Sequence, residues 1–311
     1  MARWTPADIP DLTGRTAVVT GANSGLGFET AKALAEHGAT VIMACRDTAR
    51  CGAAAERIRR SVPLARVEPM LLDLADLDSV RAFAEAFSTR PERLDILVNN
   101  AGIMAPPHRL ETKQGFELQF GVNHLGHFAL TGLLLPLLIG TPGSRIVTVS
   151  SLAHESGLID FDDLQHERSY TPYGVYSQTK LANVLFMLEL DRRLRRADAD
   201  SVSVGAHPGL ASTNLQAAGP FLSGKPALSW LVLGGVRLIG QSAAHGAEPQ
   251  LYAATAPGVQ GGDYFGPSWR VRGHAATAGV APQALDEVTA ERLWDVSTQL
   301  TGVEASVAPP S

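Results

Sequence analysis

The sequence contains very little cysteine: Cys45 and Cys51 are the only two among its 311 residues. They are six positions apart and have no neighbouring cluster of histidine or cysteine, so the sequence indicates neither a disulfide framework nor a metal site. Such sparse, unclustered cysteine is typical of proteins in a reducing compartment. We therefore expect a cytoplasmic protein without a bound metal.

An excess of positive charge is also absent, because 26 lysines and arginines stand against 31 aspartates and glutamates, for a net charge of -5. The isoelectric point is near 6.0. This charge balance excludes the electrostatic footprint of a nucleic-acid-binding protein. The densest basic run, within residues 192–196, is interpreted as the solvated end of a helix, where the macrodipole favours cations.

The sequence has no hydrophobic run of about 20 residues, the length that a membrane-spanning helix needs. The candidates at 128–139 and 228–240 both fall short. We interpret the first as a core or subunit-contact helix and the second as a packed or pocket-lining segment, with lipid contact as the alternative. The first ten residues include Asp8 and two prolines before any apolar run, which is unlike a signal peptide. The sequence therefore predicts no transmembrane segment and no secretion.

What the sequence does contain is a regular alternation of short apolar strands and amphipathic helical stretches. The predicted strands are 16–20, 40–44, 66–72, 95–99, 145–150 and 201–206, and the predicted helices are 25–37, 48–60, 77–87, 113–139 and 173–196. This alternation predicts an α/β fold in which helices cover both faces of a parallel sheet. We expect a single Rossmann domain at 10–290, with a doubly wound parallel sheet of about seven strands. Within it, 210–262 is predicted to form a substrate loop region, and 291–311 is expected to be a C-terminal tail.

A glycine-rich turn follows the first predicted strand, and residues 20–27 read T-G-A-N-S-G-L-G. In such a turn a pyrophosphate can meet free backbone N–H groups at the start of a helix. We expect Gly21 to permit the sharp turn, Gly25 to let the backbone approach a phosphate, and Gly27 to allow close helix packing. An ordinary glycine turn is the alternative. The other residues of this turn that are predicted to contact the dinucleotide are Asn23, Ser24 and Leu26.

The end of the second strand indicates which dinucleotide is preferred. Cys45 stands where a carboxylate would bind the adenosine ribose of NAD, and Arg46 follows it. Because a guanidinium attracts a 2′-phosphate, we predict that the cofactor is NADP(H). The alternative is that Arg46 pairs with Asp47 or caps a helix.

Two later strands provide further candidate cofactor residues. Asp73, followed by Leu74, is a candidate acceptor for the adenine amino group, and capping of a helix that begins near Asp76 is the alternative. After the fourth strand, residues 99–102 read N-N-A-G, and small residues with side-chain amides suit a backbone that passes close to a cofactor. An ordinary turn would also use them. The residues predicted to line the site here are Asn100, Ala101 and Gly102.

Tyr176 and Lys180 form the candidate acid–base pair, because residues four apart on a helix lie on the same face. A nearby ammonium and an oxidised nicotinamide would lower the phenol pKa from near 10 by about 2 to 3 units. Ser151 could donate a hydrogen bond to the substrate oxygen as charge develops there. Ser150 is its rival, because strand alternation lets only one of the two serines face the site.

Asn123 lies within the predicted helix 113–139. Its backbone carbonyl could bind a water and continue a proton relay beyond Lys180. A satisfied buried polar residue is the alternative interpretation of Asn123.

In type and order these residues resemble the classical short-chain dehydrogenase/reductases. The matching segments are 20–27, 99–102, Asn123, Ser151, Y-S-Q-T-K at 176–180, and H-P-G at 207–209 followed by Thr213. The resemblance implies that the tyrosine is the acid/base, that the lysine lowers its pKa and binds ribose, that the serine orients substrate, and that the asparagine supports the proton relay. It also implies that Pro208, Gly209 and Thr213 lie near the nicotinamide carboxamide.

Finer motifs are similar to the branch that contains retinol dehydrogenases, protochlorophyllide reductases and WW-domain oxidoreductases. They are A-C-R-D at 44–47, V-N-H-L-G-H-F at 122–128 and S-S-L-A-H at 150–154. The 25-residue separation of Ser151 from Tyr176 is also like that branch. The resemblance implies a preference for NADP(H) and for apolar carbonyls or alcohols.

We therefore predict an NADP(H)-dependent oxidoreductase that transfers hydride between the nicotinamide and an apolar carbonyl or alcohol. One alternative is a non-catalytic NADP(H)-binding regulatory or scaffold protein, because a fold does not determine a function. Another is a sugar-nucleotide epimerase or dehydratase, which would want a larger C-terminal lobe. By analogy with the family, we expect a homodimer or homotetramer that pairs through the helix containing 128–139 and the helix after 173.

Overall fold

The computed structural model describes residues 3–90, 93–210 and 241–307. Within these ranges eight strands form one sheet in the order β3-β2-β1-β4-β5-β6-β7-β8. Neighbouring strands from β3 to β7 are parallel, and β8 is antiparallel to β7. The strands are β1 (Thr16–Thr20), β2 (Thr40–Cys45), β3 (Arg66–Leu71), β4 (Ile96–Asn99), β5 (Arg145–Val149), β6 (Val202–Ala206), β7 (Tyr264–Pro267) and β8 (Ala275–Thr277). The predicted fold class is confirmed; the eighth strand is a three-residue edge strand in a region where the alternating pattern is absent.

Helices connect these strands and follow the predicted bounds closely up to residue 88. The helices are α1 (Gly25–Glu36), α2 (Thr48–Ser61), α3 (Leu77–Ser88), α4 (Leu118–Phe120), α5 (Gly126–Ile139), α6 (Pro172–Arg196), α7 (Ala243–Thr255) and α8 (Glu287–Thr301). A π-helical turn, Gly121–Leu125, joins α4 to α5. A 3₁₀ turn, Leu152–Ser156, follows β5.

Alternate residues of β1 pack on opposite faces of the sheet, as strand geometry requires. Ala17 and Val19 belong to one apolar cluster with α1, α2 and α7, whereas Val18 belongs to another with α3, α5, α6 and α8. The order of strands reverses between β1 and β4, so the carboxyl ends of these two strands flank a crevice. The candidate residues that follow β1, β2, β3 and β4 all lie at this edge.

The predicted helix 113–139 begins too early, because the helix starts at Leu118. Gly115 adopts a left-handed φ of 83°, which a helix cannot accommodate. The Glu117 carboxylate then caps the helix by accepting a hydrogen bond from the Phe120 N–H at 2.7 Å. Asn123 consequently lies in the π-helical turn rather than in the middle of a regular helix.

The helical stretch Leu118–Ile139 spans 22 residues and is therefore longer than the apolar segment 128–139 considered from the sequence. By length and composition alone this stretch could cross a membrane. In the folded chain, however, 72% of its most apolar window is buried. A helix whose residues pack on all sides in this way is typical of the core of a large domain.

The predicted C-terminal tail at 291–311 is also corrected, since residues 291–301 complete helix α8. Trp294 is buried, with its ring 5.1 Å from Phe128 of α5 and 5.8 Å from Phe186 of α6. Val303 and Ala305 beyond the helix are buried as well. Helix α8 thus covers part of the two helices that were expected to pair between subunits, and the oligomeric state stays a prediction.

Candidate active site

The glycine-rich turn joins β1 to the N-terminus of α1 at the crevice. Gly21 and Gly25 adopt positive φ values of 66° and 56°, which other residues rarely reach. A Cβ atom on Gly27 would lie 2.5 Å from the Gly21 carbonyl oxygen and 2.5 Å from Asn100 Nδ2. Gly21 therefore makes the turn and Gly27 lets the helix approach the backbone closely, as predicted, whereas the approach of the Gly25 backbone to a phosphate stays a prediction. The first turn of α1 is left open to an anion.

One cavity of about 380 Å³ lies between this turn and the ends of β2 and β3. It is lined by residues predicted to contact the cofactor, together with an arginine that sequence reasoning missed. The lining includes Asn23, Arg46, Asp73, Leu74, Ala101, Gly102 and, unforeseen, Arg50. Arg50 lies in the first turn of α2, whereas Arg46 precedes the helix, so helical spacing gave no signal that the two share a site.

Arg46 is exposed at the rim of this cavity. The Asp47 carboxylate caps α2 by accepting from the Arg50 N–H at 2.9 Å, and it pairs with the Arg50 guanidinium at 3.3 Å. Within the described ranges no ion pair involves Arg46, so the alternative that Arg46 merely pairs with Asp47 is not what the structure contains. The Arg46 guanidinium is therefore available to a phosphate.

Asp73 does not cap α3. That role belongs to Asp76, whose carboxylate accepts from the Asp78 N–H at 3.0 Å. Asp73 Oδ1 accepts from the Ala75 N–H at 3.0 Å, and the residue lies on the cavity wall. The carboxylate of Asp73 therefore lies where the prediction needs a hydrogen-bond acceptor for the adenine amino group.

A second cavity, also of about 380 Å³, continues from the glycine turn past the N-N-A-G turn. Its lining includes Ser24, Gly25, Leu26, Asn100, Ile103, Met104 and Leu118. Asn100 Nδ2 donates to the Thr20 carbonyl at 2.8 Å and so ties β4 to β1. Gly102 borders both cavities, and a Cβ atom there would lie 3.7 Å from Lys180 Nζ. The candidate lysine is therefore buried directly behind Gly102, at the edge of the cleft onto which the glycine turn opens.

The two rival serines are directed to opposite sides of β5. Ser150 Oγ donates to the Lys180 carbonyl at 2.7 Å and is buried. Ser151 is partly exposed and caps the following 3₁₀ turn, and its hydroxyl lies near enough to the Tyr176 phenol to lower the pKa of that group. Strand alternation thus places Ser151, and not Ser150, beside the candidate tyrosine.

Tyr176 and Lys180 lie on one face of α6, with Lys180 Nζ 5.6 Å from the centroid of the Tyr176 ring. Lys180 Nζ donates to the Val149 carbonyl at 3.2 Å. Burial raises the pKa of Tyr176 to about 12, and the nearby Ser151 hydroxyl offsets this rise only in part. Burial also lowers the pKa of Lys180 to about 8.

These shifts run opposite to the expected lowering of the phenol pKa, but that expectation was for the site with an oxidised nicotinamide bound and stays a prediction. In the protein alone, desolvation disfavours both the phenolate and the ammonium. The pair therefore rests with a protonated Tyr176 and, at neutral pH, a Lys180 that is mostly charged. Lowering the phenol pKa would need further positive charge at the site.

The Asn123 side chain connects α6 to the residue that follows the N-N-A-G segment. Its side-chain oxygen accepts from the Ile103 N–H at 2.8 Å, while Nδ2 donates to the Ile103 carbonyl at 3.0 Å and to Thr179 Oγ1 at 3.1 Å. Thr179 Oγ1 in turn donates to the Tyr176 carbonyl at 2.8 Å. The Asn123 backbone carbonyl accepts a hydrogen bond from the ring of His127 at 3.1 Å, a contact that sequence reasoning did not anticipate.

The predicted residues near the nicotinamide carboxamide are only partly described. Gly209 has a φ of 63°, and a Cβ atom there would lie 2.4 Å from the Val271 carbonyl oxygen. Pro208 accepts from Gln241 Nε2 at 3.0 Å. Thr213, the segment 228–240 and most of the substrate loop region lie outside the described residues.

A third cavity, of about 490 Å³, lies beyond the 3₁₀ turn that follows Ser151. It is bounded by Leu152, Glu155, His207 and the loop joining β7 to β8, where Arg270 pairs with Glu155. Sequence reasoning missed this polar surface, because the two ion-pair partners are 115 positions apart.

Comparisons with known proteins agree with this geometry. The sequence profile described as "short chain dehydrogenase" matches residues 15–219. The chain is 45% identical to human retinol dehydrogenase 13 over 299 residues, covering 94% of this chain and 86% of that protein. It is 43% identical to human retinol dehydrogenase 14 over 313 residues, covering 94% and 88%.

Solved structures give the same result. An uncharacterized protein from Mycobacterium paratuberculosis has 44% identity and a TM-score of 0.80, covering 97% of this chain and 99% of that one. A Beutenbergia cavernae protein described as an NAD(P)-dependent gluconate 5-dehydrogenase with bound NADP has 25% identity and a TM-score of 0.64, covering 82% and 96%.

Proposed function

The chain belongs to the short-chain dehydrogenase family, and we propose that it is an NADP(H)-dependent oxidoreductase acting on apolar carbonyls or alcohols, with Tyr176 as the acid/base. The observation that carries this proposal is the position of Lys180. Its ammonium lies close to Gly102, which borders both cofactor cavities, and 5.6 Å from the centroid of the Tyr176 ring. The Ser151 hydroxyl lies near the Tyr176 phenol, so the three side chains are grouped behind this edge of the cleft.

The cleft fits NADP(H). A Cβ atom at residue 27 would collide with the Gly21 carbonyl oxygen, so only glycine lets α1 begin this close to the turn. The N-terminus of α1 therefore faces the turn, and a helix N-terminus is a favourable place for a pyrophosphate. Arg46 and Arg50 border the adenosine half and supply two guanidinium groups for a 2′-phosphate. NADP in the Beutenbergia cavernae structure supports this assignment.

When bound, the nicotinamide supplies or accepts the hydride. Ser151 orients the substrate oxygen through a hydrogen bond, and Tyr176 transfers a proton to or from that oxygen. Because burial raises the pKa of Tyr176 to about 12, the phenol is protonated at neutral pH and ready to donate. Carbonyl reduction requires such a protonated phenol, whereas alcohol oxidation requires Tyr176 to lose its proton first.

The apolar substrate class is supported by the side chains along the second cavity. Ile103, Met104 and Leu118 line this cavity and present hydrocarbon to it. The names of the human relatives, retinol dehydrogenases 13 and 14, point to a long apolar alcohol and its aldehyde as the first compounds to test.

The test is to measure turnover of a panel of aldehydes and ketones, including retinaldehyde, from the decrease in NADPH absorbance. Tyr176→Phe removes the proton donor, and we expect at least a hundredfold loss of kcat with NADPH binding retained. Tyr173→Phe is the matched control, because Tyr173 lies on the same helix but is 47% exposed. Equal turnover by Tyr176→Phe and wild type would reject the acid/base role. NADPH binding without turnover of any compound would favour the scaffold alternative.

A further inference from the structure

His127 is a buried histidine within the motif at 122–128, and the family resemblance assigns it no role. It is 2% exposed and lies in the first turn of α5, four residues after Asn123. Its Nδ1 is 3.1 Å from the Asn123 carbonyl oxygen, and its Nε2 is 2.9 Å from Thr20 Oγ1. One ring therefore bridges the cofactor side of the site and the catalytic side.

The protonation of this ring follows from its partners. A carbonyl oxygen can only accept, so Nδ1 of His127 carries the hydrogen and Nε2 is the acceptor. Thr20 Oγ1 must then donate to Nε2. The two lone pairs of that hydroxyl are left to accept from the N–H groups of Asn100 and Ala101, both at 2.9 Å. Every group in this buried set has a partner, and the lowered pKa of His127, about 4 because of burial, agrees with a neutral ring.

The hydrogen bonds form a continuous chain through the site. It starts at the N-N-A-G turn, which borders both cofactor cavities, and passes through Thr20 and His127 to the Asn123 carbonyl. From the Asn123 side chain it continues through Thr179 to the backbone of Tyr176. Thr20 immediately precedes Gly21, so the chain connects the turn that holds the cofactor with the helix that carries the acid/base.

We propose that His127 is a positioning residue that ties the cofactor-binding turn to the helical turn of Asn123 and thereby sets the cofactor's position relative to Tyr176. This inference rests on the proposed function. A displacement of about 1 Å between reacting groups can lower a rate by about a hundredfold, so loss of this bridge has a measurable consequence. His127 contacts neither substrate nor reacting atoms in this role.

Two substitutions separate its two bonds. In His127→Gln the amide oxygen occupies the place of Nε2, so the bond from Thr20 is kept and the bond to Asn123 is lost. In His127→Asn the amide nitrogen occupies the place of Nδ1, so the bond to Asn123 is kept and the bond from Thr20 is lost. The matched control is His124, which lies one turn earlier, is 1% exposed, and contacts Ser297 of α8 instead of the cleft.

We expect His127→Gln to lower kcat roughly tenfold to a hundredfold while the Kd for NADPH, from quenching of protein fluorescence, changes less than threefold. We expect His127→Asn to raise the Kd for NADPH roughly three- to tenfold, because the Thr20 hydroxyl turns toward the Val98 carbonyl, 3.3 Å away, and releases the N-N-A-G turn. His124→Gln and His124→Asn should lower thermal stability to a similar degree with kcat and Kd close to wild type.

The inference is overturned if the His127 variants lose stability as the His124 variants do but keep kcat and Kd within twofold of wild type. If the wild type turns over no compound, the proposed function fails. The NADPH titration of His127→Asn against His124→Asn then decides the positioning role by itself, and equal affinities would reject it.

Discussion

Replacing the buried Lys180 should stabilise the cofactor-free protein at neutral pH even though it removes a residue of the proposed site. Burial lowers the pKa of Lys180 from an ordinary 10.5 to about 8. At about 1.4 kcal/mol for each pKa unit, keeping this ammonium charged in the folded state costs about 3 kcal/mol at pH 7. Lys180→Met removes that cost and loses the hydrogen bond to Val149, which contributes about 1 kcal/mol. We expect a net gain of about 2 kcal/mol in the free energy of unfolding.

The sign of the pH dependence follows from proton binding. Between pH 8 and 10.5 the unfolded state holds a proton on this lysine that the folded state has released, so wild-type stability rises with pH across this window. Lys180→Met has no such group. Its advantage of about 2 kcal/mol at pH 7 should therefore disappear by about pH 10.

Urea unfolding of the cofactor-free protein at pH 7 and pH 10, followed by circular dichroism, measures both quantities. Lys32→Met is the control, because Lys32 is 33% exposed on α1 and only pairs with Glu36 at the surface; its effect should stay within about 0.5 kcal/mol. The reasoning is refuted if Lys180→Met is less stable than wild type at pH 7, or if its advantage is the same at both pH values.

Two further predictions test the cofactor preference and the C-terminal helix. Arg46→Ala should lower the NADPH-to-NADH ratio of kcat/KM roughly tenfold to a hundredfold, because a charge-assisted bond to the 2′-phosphate is lost; steady-state assays with both cofactors measure it, and an unchanged ratio would assign the preference elsewhere. Trp294→Ala should lower the free energy of unfolding by about 3 to 5 kcal/mol, since the indole packs between Phe128 and Phe186. Val288→Ala, at a position of α8 that is 76% exposed, should have little effect in the same urea titration, and equal effects of the two variants would mean that α8 is not docked.

Sequence reasoning succeeded where local periodicity and local chemistry coincide. The helix from Gly25 and the strands through residue 99 were predicted within about two residues, because short apolar strands alternate there with amphipathic helices. It failed at the start of α4, where a glycine with positive φ and a capping glutamate outweigh helix propensity. It also failed at α8. The sequence around Trp294 does not show that this side chain packs against α5 and α6, because those helices are distant in the chain.

The candidate site shows the same division. Gly27 could be assigned close packing from its place in the turn, and the choice between Ser150 and Ser151 required only knowing which face of β5 each occupies. The pKa of Tyr176 could not be obtained from its spacing to Lys180. Spacing gives the distance between two charges, whereas desolvation depends on all the atoms around them.

The amino-acid sequence by itself determined the parallel α/β architecture, the glycine-rich turn and the placement of Tyr176 and Lys180 on one helical face, because each depends on residues close together in the chain. Only the tertiary structure decided that Arg46 is unpaired within the described residues, that α8 packs over α5 and α6, and that His127 joins Thr20 to Asn123. Thr20 and His127 are 107 positions apart, and a hydrogen bond over that separation exists only after the sheet and its helices have assembled.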